Sequence, residues 1–73
     1  MSEINYVNAK KLVLDRLRQW AKELPVAERR RPRIVLDMKS YSVLDLIAQV
    51  ERNSQVGKEY VFDEAKRLNY VVK

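Results

Sequence analysis

Four arginines fall within six residues at Glu28-Arg29-Arg30-Arg31-Pro32-Arg33, and guanidinium groups at that density can hold a phosphate backbone. The same density is ordinary in a hydrated joint between packed elements, where it keeps a neighbouring strand edge from aggregating. Carboxylates are the other candidate chemistry: Asp37, Asp45, Glu51, Glu59, Asp63 and Glu64 crowd the second half of the chain, and a close pair could serve as general acid and base. Their spacing argues for a plainer use. Glu59 and Asp63 stand one helical turn apart with Lys66 next along, the pattern of a solvated helix surface. Ser40, Ser42 and Ser54 offer hydroxyls, but the chain has no histidine to activate them.

The complete lack of cysteine and histidine removes disulfides, thiolate and imidazole metal sites, and imidazole acid–base catalysis together. A single glycine leaves no glycine-rich loop to cradle phosphates. The expectation is therefore a protein that is not an enzyme, needs no metal or cofactor, and has no small-molecule substrate that its sequence would imply. No apolar run exceeds three residues, so no membrane span or signal-peptide core is expected and a cytoplasmic location is.

Charge is uneven. The net charge of +5 divides into +4 over residues 1–37 and +1 over residues 38–73, so a partner drawn by charge would be drawn to the first half. Residues 28–33 alone supply +3 of it.

Elements must position these groups, and 73 residues allow one domain with one core. Tyr6, Val13, Leu17, Trp20 and Leu24 recur at helical intervals, with Val7, Leu14 and Ala21 beside them, and Lys11, Asp15, Arg18 and Lys22 lie opposite. That spacing predicts a helix over 5–24, stopped by Pro25, with Lys11–Asp15 and Asp15–Arg18 near enough to pair. A basic Pro/Arg-rich linker, 25–33, follows. Alternation at Ile34, Leu36 and Met38 predicts a half-buried strand over 34–38.

Ser42-Val43-Leu44-Asp45 has the form of a capping box and opens a second helix over 43–52, with Val43, Leu46, Ile47 and Val50 on one face. A turn at 53–55 precedes a third helix over 56–68, in which Gly57 either weakens the first turn or admits a neighbouring backbone. The tail Tyr70-Val71-Val72 is rich in strand formers and is expected to pair with 34–38. The expected fold is thus mainly α, of α+β type: three helices and a short two-stranded β element in a single small domain, 1–73.

Two functional readings follow, both of binding. In the first the chain is a non-enzymatic adaptor or assembly module that contacts another protein or its own copy. Its motive is apolar surface in excess of what three short helices can cover: Leu12 on the polar side of the first helix, Leu44 and Phe62 off the core stripes, and Tyr41 and Tyr70 beside the strands. In the alternative, Arg29, Arg30, Arg31 and Arg33, helped by Lys11, Arg18 and Lys22, make salt-sensitive contacts to nucleic-acid phosphates.

The element order over 34–73 resembles a winged helix-turn-helix. Two features depart from that pattern. Arg52 stands where the turn glycine belongs, four positions after Ala48, and the third helix balances Lys58, Lys66 and Arg67 against Glu59, Asp63 and Glu64. A helix facing phosphates is usually more basic than that.

Overall fold

The computed structural model describes Ser2–Lys73. Its elements are β1 (Ser2–Ile4), α1 (Tyr6–Glu23), a 3₁₀ turn (Val26–Glu28), β2 (Ile34–Leu36), β3 (Lys39–Tyr41), α2 (Val43–Glu51), α3 (Gln55–Arg67) and β4 (Tyr70–Val72). The three helices lie within a residue of the positions their periodicity predicts, and the chain is mainly helical with two small sheets.

Each helix begins on a side-chain cap that the sequence supplies. The Asn8 N–H donates to Asn5 Oδ1 at 2.8 Å, and the Gly57 N–H donates to Ser54 Oγ at 3.0 Å. At α2 the capping box is complete: Asp45 N–H donates to Ser42 Oγ at 3.0 Å, and Ser42 N–H donates to Asp45 Oδ2 at 3.1 Å. Caps of this kind satisfy amides that a helix start otherwise leaves without partners. α2 and α3 close at their far ends on Asn53 and Asn69, both in the left-handed region with φ of 55° and 67°, a position that asparagine tolerates.

The core is one cluster in which Ala9, Val13, Leu14 and Leu17 of α1 meet Leu46 and Val50 of α2 and Val61 and Ala65 of α3. Gly57 sets how closely α2 and α3 approach: a Cβ there would stand 2.2 Å from the Gln49 carbonyl oxygen. Close approach is therefore the reason for the glycine.

The strands exist where expected, but their pairing differs. Residues 34–36 pair antiparallel with 39–41, in register Ile34 with Tyr41 and Leu36 with Lys39. Asp37 and Met38 form the two-residue turn, both left-handed with φ of 50° and 67°, the requirement of a type I′ hairpin. The strand therefore ends at Leu36, and Met38 points away from the core face to which alternation assigned it. β4 pairs instead in parallel with β1, Ser2 beside Tyr70 and Ile4 beside Val72. The local hairpin closes a loop of two residues, whereas pairing 34–36 with 70–72 would close one of more than thirty, at greater entropic cost. Ser2-Glu3-Ile4 is too short to carry a periodic signal, so the partner that β4 finds was not legible.

Candidate functional site

The arginine run is largely consumed inside the molecule. Arg29 turns back onto the end of α1, where its Nε donates to the Ala21 carbonyl at 2.6 Å and to the Leu24 carbonyl at 3.2 Å, and its Nη2 reaches the Lys22 carbonyl at 3.5 Å. The last carbonyls of a helix lack amide partners and sit at the negative end of its dipole, so a guanidinium there is a C-terminal cap. Arg33 pairs with Glu28 at 2.8 Å and Arg31 with the same carboxylate at 3.3 Å. Arg30 alone of the four makes no ion pair or side-chain hydrogen bond among the described residues, and it is exposed.

The supporting cations divide in the same way. Arg18 pairs with Glu51 at the end of α2, at 3.1 Å, rather than with Asp15. Lys11 and Lys22 are exposed, and Lys11 makes no pair with Asp15 among the described residues. Lys10, which the sequence did not single out, bonds the Glu51 carbonyl at 3.2 Å and Asn53 Oδ1 at 2.9 Å, tying α1 to the α2–α3 turn.

Of the apolar candidates, Leu12, Tyr41, Leu44 and Tyr70 are half-buried and Phe62 is exposed, its ring tilted against that of Tyr6 at 5.8 Å. The most exposed apolar group is one the sequence assigned to the core face. Met38, at the hairpin tip, is 98% exposed, and Val35 on the outward side of β2 is 69% exposed.

A second feature lies between α1, α3 and the root of the hairpin. There an open cleft of about 340 Å³ is lined by Val13, Leu17, Trp20, Ile34 and Tyr60, with Arg16, Arg67 and Glu64 among them. Glu64 is nearly enclosed, at 9% exposure, and Arg67 Nη1 holds it at 2.8 Å. Burial, then the Glu64 charge and a hydrogen bond to that carboxylate, push the Tyr60 phenol up to about 12. Burial also raises that of Tyr6. Tyr60 therefore remains a neutral donor across the physiological range.

Among the described residues no three acidic side chains gather to hold a metal ion, and no helix is long and apolar enough to cross a membrane. No protein-family model, curated protein or solved structure matches this chain. The likeness to winged helices is one of element order over the second half of the chain. Geometry narrows even that: the hairpin precedes α2 and α3, and the strand after α3 pairs with β1 instead of forming a wing. α3, moreover, exposes Glu59 and Asp63 together with Lys58 and Lys66.

Proposed function

We propose that the chain is a small non-catalytic binding module that engages a partner protein through the tip of its β2–β3 hairpin. The supporting observation is Met38, which carries an apolar side chain at 98% exposure on a backbone whose φ is 67°. A type I′ turn strongly favours asparagine, aspartate or glycine, and a residue with a Cβ in this conformation costs on the order of 1 kcal/mol. The position thus carries a backbone cost and leaves a large apolar group in water, the combination expected where a side chain is kept for an intermolecular contact.

Val35 extends the apolar surface along the outward face of β2, with Ser40 opposite it in register. The complementary surface is an apolar pocket.

The test is affinity capture from the native extract with the intact chain and with Met38→Gly, which suits the turn better and should fold at least as well. A discrete partner retained by the first and lost by the second is the expected result. Identical capture profiles would sink the proposal.

The nucleic-acid alternative draws its support from Arg30, with Lys22 close to the Arg29 cap and Lys11 further along α1. With Arg29, Arg31 and Arg33 engaged internally, few phosphate contacts are left, and a shallow salt dependence would follow. Titration with short duplexes at two salt concentrations tests it, and no amide shift at low salt would rule it out.

A further inference from the structure

We infer that the cleft between α1 and α3 binds a small planar aromatic molecule carrying one acidic group. The inference is independent of the hairpin contact and rests on four features of the cleft.

The first is shape. A surface cleft of about 340 Å³ stands open beside the core, within the range of small-ligand pockets. The second is the walls. Trp20 and Tyr60 are both half-buried in the lining, presenting aromatic surface on which a planar ring can stack, while Val13, Leu17 and Ile34 supply apolar floor.

The third is preorganisation. Glu64, nearly enclosed and in the same lining as Tyr60, is held by Arg67 at 2.8 Å. That side of the cleft is thus fixed by an ion pair whose carboxylate is itself nearly enclosed. A wall held in place before the ligand arrives loses less entropy on binding.

The fourth is charge. Arg16 and Arg67 face one carboxylate, so the lining carries an excess of one positive charge. Arg67 is committed to Glu64, whereas Arg16, exposed at the rim, makes no ion pair or side-chain hydrogen bond among the described residues. The arrangement has a place for one further anionic group, at Arg16, with the ring directed inward against Trp20. Arg16 also lines the adjoining groove beyond Trp20, together with Asp15 and Glu23. The charge of these two carboxylates opposes a polyanion running on past the cleft and favours a small ligand over a nucleic-acid strand.

A base with its phosphate and an aryl carboxylate share this chemistry, and titration of the full chain separates them. The probes are adenosine monophosphate and indole-3-acetate, followed by the Trp20 indole N–H resonance and the amides of residues 13–20 and 60–67, with adenosine, indole and inorganic phosphate as controls. Saturable shifts at those residues with either acidic probe support the inference, and the probe that saturates first identifies the source. Adenosine and indole, which lack the charge-assisted contact, and phosphate, which lacks the stacked ring, should each bind at least about tenfold more weakly.

Arg16→Ser, at an exposed position, should leave the fold intact and weaken the acidic probes by about tenfold while leaving the neutral ones unchanged. Absence of saturation with both acidic probes overturns the inference. So does phosphate binding as tightly as adenosine monophosphate, or an Arg16→Ser variant that binds all probes as the parent does.

Discussion

Arg29 Nε lies 2.6 Å from the carbonyl oxygen of Ala21, across the end of α1, and this contact makes the arginine run part of the fold. Replacing Arg29 by alanine leaves the Ala21 and Leu24 carbonyls without that donor and removes a cation from the negative end of the helix. A loss of about 1–3 kcal/mol in unfolding free energy is expected. Lysine should restore only part of it, since it keeps the charge but not the planar fork that reaches two carbonyls. Arg30→Ala, at the exposed neighbouring position, should change stability by no more than about 0.5 kcal/mol. Urea unfolding of the three variants checks this, and equal effects of Arg29→Ala and Arg30→Ala would contradict the capping role.

Gly57 permits the approach of α3 to α2, and its replacement should be costly in a way that helix propensity does not foresee. In an exposed helix, Gly→Ala stabilises by roughly 0.5–1 kcal/mol. At Gly57 the added methyl would meet the Gln49 carbonyl oxygen at 2.2 Å and the Val50 Cα at 2.8 Å. Both are backbone atoms that cannot rotate aside, so α3 must shift as a whole against a core that includes Val50 and Val61. Gly57→Ala is expected to destabilise by about 1–3 kcal/mol, the range for an overpacked contact. A rise in the thermal midpoint would show that the helices separate easily.

What the sequence revealed, and what it concealed, follows from the range of the interactions involved. Helix positions and caps depend on residues within four of one another, so the Ser42 start and the Pro25 stop could be read directly, while Asn5, read as the first residue of its helix, is the cap before it. The hairpin was hidden because its turn, Asp37-Met38, lacks the glycine or asparagine that announces a type I′ turn. Alternation carried through Met38 then placed on the core face a side chain that is fully exposed. β1 was hidden by its length and by having its partner at the opposite end of the chain.

The cleft was hidden for a related reason. Arg16 and Trp20 belong to α1, Tyr60, Glu64 and Arg67 to α3, and each set read separately is an unremarkable helix face. Only packing brings them together. The arginine run shows the converse: conspicuous in sequence, it is mostly spent on Glu28 and on the end of α1.

Met38 offers a separation of stability from binding. Glycine adopts a φ of 67° without penalty, so Met38→Gly should raise stability or leave it unchanged, by about 0.5–1 kcal/mol at most after the entropy that glycine restores to the unfolded chain. The side chain is 98% exposed, so no packing is lost. A variant that unfolds at lower urea concentration than the parent would mean that Met38 makes a stabilising contact within the chain and is not kept for an intermolecular one.

Tyr60 makes the pH dependence of the fold a readout of the cleft. Its phenol is raised from the ordinary 10.0 to about 12, by burial first and then by the charge and hydrogen bond of Glu64. Because the folded value lies above the unfolded one, the native state holds the proton more tightly. The stability associated with neutral Tyr60 is therefore fully present below about pH 10 and is lost as pH rises through about 12. Ultraviolet titration of the phenols should show Tyr60 ionising late, and the step should vanish in Tyr60→Phe. That variant should also show a flatter decline of stability between those pH values, while Glu64→Gln, which keeps a hydrogen-bond acceptor and removes the charge, should bring the Tyr60 step to lower pH. If Tyr60 titrates at the ordinary 10.0 instead, neither burial nor the Glu64 charge acts on it, and the enclosure of that wall of the cleft fails with it.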